Sequence, residues 1–229
     1  MKPLVAGIDG CRGGWVMVAL PNGKPSRAIA QVYPRWDALP LADVALAAVD
    51  MPIGLPDTGA RVCDAKARAL LGAARSRVFP HLRRSLLGFL DDYPAANAWA
   101  KRDGKGLSKQ AFFILPKIAE IDANIASKDQ QRIKEAHPEL AFARLNGGKP
   151  LVSKATAEGL RARERLLRAA GFTGLEGLWR GVAGKGAKPD DLYDACVLTL
   201  TALRIARGKA VCLDSFARDS RGLKMEIWY

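Results

Sequence analysis

Histidine is nearly absent from this chain, with only His81 and His137 among 229 residues. A zinc site built on imidazole therefore has little to draw on. Cysteine is as sparse, at positions 11, 63, 196 and 212, and no two cysteines form a CxxC pair. That spacing argues against a zinc knuckle or a thioredoxin-type motif and suits small, buried thiols. No apolar run reaches the roughly 18 residues that a membrane-spanning helix needs. The opening residues carry no secretory pattern, so a soluble, cytoplasmic protein with no membrane partner is expected. A phosphate-binding P-loop, internal repeats and low-complexity tails are also missing.

What is present is a large apolar fraction, 49% of residues, which suits a sizeable core rather than a disordered chain. The formal net charge is +13. A balance so basic points to a polyanionic partner, nucleic acid above all; the plainer alternative is a charge that only maintains solubility.

Residues 4–9 read as a buried strand, 15–20 as a second and 27–33 as a third, less apolar and so at an edge. A glycine-rich turn at 10–14 and a Pro-Asn-Gly-Lys turn at 21–24 join them into an antiparallel meander. Residues 44–50 are continuously apolar, as in a strand covered on both faces, and must be reached by a crossover. A fifth strand is expected over 131–137, and a short closing strand over 225–228. Helical patterns cover 60–74, parts of 86–100, 112–125, 154–170 and 190–206. The segment from about 57 to 130 reads as a helical insertion after the fourth strand, within a single domain spanning 1–229. The fold class expected is α/β, a mixed five-stranded central sheet flanked by helices.

Acidic residues stand at the ends of these elements. Asp9 closes the first strand and Asp50 the fourth. Glu139 follows the fifth, in Glu135-Ala136-His137-Pro138-Glu139. Asp191 and Asp194 open the last long helix, one turn apart and so on one side of it. Clustered carboxylates raise each other's pKa, and such a cluster calls for a cation. Magnesium or manganese prefers carboxylate and water oxygens. In a two-metal site, ions roughly 4 Å apart clamp the attacking and leaving oxygens of a phosphoryl displacement. Asp9, Asp50, Asp191 and Asp194 are the candidate metal ligands, with Asp9 bridging. Glu139 is a candidate to ligate a metal or orient water, with His137 nearby as a proton carrier. Each acid also has a plainer role. Asp9 and Asp50 suit turns. Asp190, Asp191 and Asp194 suit a helix N-terminus. Glu139 suits a surface position after a proline. Arg75, Arg77, Arg83 and Arg84, interleaved with Phe79 and His81, are suited to a nucleic-acid backbone, as is Arg12; a solvated basic face is the alternative. Lys117 and Lys154 are open either to contact phosphate or to form ordinary salt bridges.

Ile8-Asp9-Gly10-Cys11-Arg12-Gly13-Gly14-Trp15 and Val49-Asp50-Met51-Pro52-Ile53-Gly54-Leu55-Pro56 resemble the family called domain of unknown function 429. Its members are described as predicted RNase H-like nucleases. The resemblance continues through Arg61-Val62-Cys63-Asp64-Ala65-Lys66-Ala67-Arg68 and Pro116-Lys117-Ile118-Ala119-Glu120-Ile121-Asp122. His137-Pro138-Glu139, Ser153-Lys154 with Gly159 and Arg163, and Asp190-Asp191-Leu192-Tyr193-Asp194-Ala195 complete it. It covers nearly the whole chain. The last motif also resembles the acidic final helix of RuvC-type resolvases. What the resemblance implies is an RNase H-like fold and a metal-dependent nuclease site. Two other classes stay open. One is a non-catalytic nucleic-acid-binding or regulatory module. The other is an ATP-dependent phosphotransferase of the related actin-like fold, for which the chain is short and lacks a second Asp-Gly turn.

Overall fold

A computed structural model describes residues 4–102 and 105–229. In chain order its strands and helices are β1 (Val5–Cys11), β2 (Gly14–Leu20), β3 (Ile29–Tyr33), β4 (Leu46–Val49), α1 (Val62–Leu71), α2 (Tyr93–Lys101), α3 (Lys109–Phe113), α4 (Leu115–Asn124), β5 (Ile133–Glu135), α5 (Pro138–Leu145), α6 (Ala157–Ala169), α7 (Leu175–Val182), α8 (Pro189–Ala206), β6 (Cys212–Arg218) and β7 (Lys224–Trp228). Short 3₁₀ turns lie between several of them. Among the described residues, no helix is long and apolar enough to cross a membrane. The described chain divides into two compact units.

The first unit comprises residues 1–51, 131–212 and 228–229; its residues 1–3 lie outside the described ones. It carries a five-stranded sheet in the order β3-β2-β1-β4-β5. β1, β2 and β3 pair antiparallel, as the tight turns dictate. β4 pairs parallel to β1, and β5 parallel to β4. β3 is the half-exposed edge expected from its weaker apolar pattern. This mixed sheet flanked by helices is consistent with an RNase H-like fold.

The core of this unit is built by Val16, Val18, Leu46 and Ala48 of the sheet with Leu192, Ala195 and Leu198 of α8 and Phe142 of α5. α8 comes unusually close to β1. A Cβ placed on Gly7 would lie 2.1 Å from the Ala195 carbonyl oxygen and 2.4 Å from the Thr199 nitrogen. Only a glycine lets the helix backbone press onto the strand there. Because Gly7 and Asp9 alternate onto the same face of β1, that contact brings the first turns of α8 to Asp9.

The second unit comprises residues 52–130 and 213–227; within it, Asp103 and Gly104 lie outside the described residues. The helical segment thus forms its unit with the β6-β7 hairpin, of which only the second strand was foreseen. Asp214, Ser215 and Arg218 give β6 no alternating apolar pattern. Asp219, at the hairpin turn, accepts from the backbone N–H groups of Leu55, Arg221 and Leu223 and pairs with Arg84. The helix expected over 112–125 is two helices, α3 and α4. Pro116, at the start of α4, has no N–H to continue α3 and restricts the residue before it. α1 stops at Leu71 because Gly72 turns to φ 51°, and a 3₁₀ stretch replaces the rest of the expected 60–74 helix.

In the first unit, the fifth strand is shorter than the expected 131–137, since Pro138 has no N–H to extend the ladder and opens α5 instead. α6 starts at Ala157 rather than 154, capped by the Thr156 hydroxyl accepting from the Gly159 N–H at 3.0 Å. α5 and α7 were not anticipated. Each is only eight residues long, and two glycines blur the helical pattern of α7.

Candidate active site: a buried carboxylate cluster with one lysine

Parallel pairing sets the first two acids side by side. Ile8 is the register partner of Val49, and the Asp50 N–H donates to the Ile8 carbonyl at 2.9 Å. Asp9 and Asp50 are therefore neighbours at the carboxyl ends of adjacent parallel strands, where open α/β sheets place their ligands. β5 extends the same edge: the Ala136 N–H donates to the Val49 carbonyl, and His137-Pro138-Glu139 turns directly into α5.

Asp194 arrives from α8. It is 2% exposed, and Asp9 is 6% exposed. Burial, then the charges of Asp50 and Asp194, push the Asp9 carboxyl well above its ordinary value, against the opposing field of Lys154. Burial also raises Asp50 to about 7, where Lys154 opposes the shift and Glu139 adds to it. Asp194 is raised to about 7 by burial, opposed by Lys154 and reinforced by Asp50. These three acids form one electrostatic unit.

Lys154 is the cation among them. Its Nζ donates to Asp194 Oδ2 at 2.5 Å and lies 3.4 Å from Asp190 Oδ2. Burial alone would lower its pKa, but Asp194, Asp9 and Asp50 outweigh that and raise it. Of the two open roles for Lys154, the structure contains the salt bridge.

Glu139 is buried, and its Oε1 accepts from Arg163 Nη2 at 2.6 Å. Arg163, 0% exposed, also donates through Nη1 to the carbonyls of Val152 and Gly159, each at 3.0 Å. Its guanidinium sits 5.3 Å above the Phe142 ring. His137 is the N-cap of α5, with Nδ1 accepting from the Glu139 N–H at 3.3 Å.

Asp191 takes the plainer of its two roles. Its Oδ2 accepts from the Lys188 N–H at 2.8 Å and caps the start of α8. Burial raises its pKa, and that capping bond opposes the shift. Of the two acids on α8, Asp194 is the one turned into the cluster.

The basic residues are distributed differently. Arg12 is exposed in the β1–β2 turn, and Arg75 is exposed in the 3₁₀ stretch after α1, with Arg77 half-buried. Arg83 is buried, stacks 4.9 Å from the Trp99 ring centroid and donates to the Ala100 carbonyl. Arg84 pairs with Asp122 and Asp219. Lys117 lies 3.8 Å from Glu120 along α4. Arg83 and Arg84 are thus engaged within their own unit, while Arg12 and Arg75 face solvent. A cavity of about 320 Å³ on the first unit is lined by Glu164, Arg168, Trp179, Arg180 and Tyr193 among others, and includes none of the clustered acids.

Among the described residues, no three His, Cys, Asp or Glu side chains stand close enough together to bracket a metal as they lie. The chemistry of the donor set nevertheless fits a hard divalent cation. It is all carboxylate, its ionisation is suppressed by burial and then by mutual repulsion, and the buried Asp194 Oδ1 has no hydrogen-bond partner. Asp9, Asp50 and Asp194 are the residues that would hold such an ion.

A family model described as "Protein of unknown function (DUF429)" matches residues 7–218. The chain belongs to this family. No curated protein and no solved structure matches it. The match spans every site acid, from Asp9 to Asp194. Within the family segment, residue-by-residue reasoning missed Arg163, which entered only as part of the resemblance. The available signal was Gly159 and Arg163 one helical turn apart: the glycine brings α6 against the Ser153 carbonyl and leaves its own carbonyl to the arginine.

Proposed function

We propose that the protein is a magnesium- or manganese-dependent nuclease, hydrolysing phosphodiester bonds of nucleic acid at the Asp9, Asp50 and Asp194 cluster. One observation carries this reading. Asp9 and Asp194, both buried, and the half-buried Asp50 are gathered at the carboxyl ends of β1 and β4 at the cost of suppressed ionisation, and Asp194 keeps an unbonded oxygen. An arrangement so unfavourable on its own is what a cation-binding site needs before it is filled.

A divalent ion bound there would polarise a phosphoryl oxygen and supply hydroxide near neutral pH. The chain's own residues do the rest. Asp9 and Asp50, on rigid neighbouring strands, present oxygens at a fixed spacing. Asp194 closes the cluster from α8. Arg163 holds the buried Glu139 near Asp50 and Asp194, where its carboxylate can orient a water. Lys154, bridged to Asp194, adds a fixed positive charge beside the cluster. The net charge of +13 and the exposed Arg12 and Arg75 favour a polyanionic substrate. The proposal includes a cytoplasmic location, which four free cysteines suit.

A second reading, a non-catalytic nucleic-acid-binding module, is favoured by the Lys154–Asp194 bridge, which already neutralises part of the cluster. Cleavage assays separate the two. Duplex, hybrid, single-stranded and branched substrates are incubated with Mg²⁺ or Mn²⁺. The wild-type chain is expected to cut at least one class, and Asp9→Asn to cut none while keeping its circular dichroism spectrum. Cleavage that persists in Asp9→Asn means another site or a contaminant, and no cleavage of any substrate by the wild-type chain leaves the binding module.

A further inference from the structure

Full ionisation of Asp9, Asp50 and Asp194 puts three negative charges close together, and Lys154 is a cation that acts on all three. The other acids nearby are accounted for. Glu139 has its own countercharge in Arg163. Asp191 is bound to the Lys188 N–H, and Asp190 and Asp191 both lie in the first turn of α8, where the helix N-terminus favours negative charge. The cluster therefore keeps two negative charges after Lys154 is counted. Two divalent ions would overshoot that by two, while one ion matches it.

The hydrogen bonding of Asp194 agrees. The Asp194 carboxylate has two oxygens in different states: Oδ2 is held by Lys154 at 2.5 Å, and Oδ1 is buried with no hydrogen-bond partner. The first is committed to a cation within the chain; the second is the open acceptor. Lys154 is itself anchored, since Asp190 lies 3.4 Å from the same ammonium. It sits just ahead of α6, in a segment tied down by Arg163 donating to the Val152 carbonyl and by the Thr156 hydroxyl donating to the Ser153 carbonyl. An ammonium at a fixed place beside a carboxylate cluster does electrostatically what a second metal ion would do. Unlike an ion, it cannot diffuse away.

We propose that Lys154 permanently fills one of the two cationic places of this site, so that the cluster takes up a single divalent ion, at Asp194 Oδ1 with Asp9 and Asp50. The inference rests on the metal-site reading above and replaces a two-ion site with one ion and one lysine. Lys154 is then the residue that sets metal stoichiometry.

Mn²⁺ binding to the full chain, followed by titration calorimetry and by the electron paramagnetic resonance of free Mn²⁺, tests it without any cleavage assay. The wild-type chain is expected to bind one ion, lost in Asp9→Asn. Lys154→Met is expected to bind a second ion, or to hold the first at least about tenfold more tightly, as follows from removing a unit positive charge a few ångströms away. Lys154→Arg, which keeps the charge, should again bind one. Two ions on the wild-type chain overturn the inference and leave the nuclease reading standing, as does a Lys154→Met variant matching the wild type in both number and affinity. The wild-type stoichiometry decides the matter even where the Met variant does not fold. No Mn²⁺ on the wild-type chain or on either Lys154 variant overturns the metal site itself.

Discussion

Replacing Arg163 by methionine isolates a buried ion pair beside the site. The guanidinium is fully buried, makes three hydrogen bonds and lies over the Phe142 ring. Methionine keeps much of the apolar stem but leaves the Glu139 carboxylate buried without its countercharge. Removing one partner of a buried ion pair costs about 3–5 kcal/mol, because the surviving charge has lost its compensation. For a chain of this length, that corresponds to a fall in melting temperature of about 6–20 °C. The second half of the cycle is Glu139→Gln in the Arg163→Met background. With no charge left to strand, the double variant should recover all but about 1–2 kcal/mol of the wild-type stability. Urea denaturation followed by circular dichroism measures all four proteins, and the coupling is read from the cycle. An Arg163→Met variant within about 1 kcal/mol of wild type, or a double variant no better than the single, would refute the claim that this pair is the electrostatic support of Glu139.

Three further outcomes are expected. Asp50 and Asp194 have folded-state pKa values raised from 3.8 to about 7, so the stability tied to their protonated forms is complete below about 3.8 and is lost as pH rises through 7. Thermal melts of the metal-free protein should therefore weaken from pH 5 to about pH 8, less so in Asp194→Asn, and a midpoint that rises over this range contradicts the clustering. Gly7→Ala should destabilise by about 1–3 kcal/mol or more, since its Cβ would meet the α8 backbone; a neutral result in urea would mean that the helix is not pressed on β1. Asp219→Ala strips acceptors from three backbone N–H groups and a partner from Arg84, so a loss of about 3–5 kcal/mol is expected by chemical denaturation, and a change under about 1 kcal/mol refutes its role as the hub of the β6-β7 turn.

The sheet was legible from the chain because its signals are local. Tight turns between β1, β2 and β3 leave antiparallel pairing as the economical solution, and the continuous apolar run before Asp50 requires an inner strand. The breaks within helices were harder to see. Pro116 and Gly72 are visible punctuation, yet apolar spacing runs straight across both. β6 was invisible because three of its seven residues are polar and break the alternation, and a hairpin strand needs only its partner to form.

The acids themselves are a property of the sequence: Asp9 and Asp50 end strands, and Asp191 and Asp194 begin a helix, wherever those elements lie. Their division of labour is not. Asp191 and Asp194 share one side of α8, and no local rule ranks them. The fold ranks them, by giving Asp191 the backbone N–H of Lys188 and giving Asp194 a lysine from forty residues earlier. Likewise, Arg83 and Arg84 read as a basic surface run until folding supplies Trp99, Asp122 and Asp219. The physical reason is the same in both cases. Residue type and helical or strand phase are written in the local chain, whereas the partner of a buried charge comes from a distant segment, and only tertiary packing decides which charges are satisfied and which remain open.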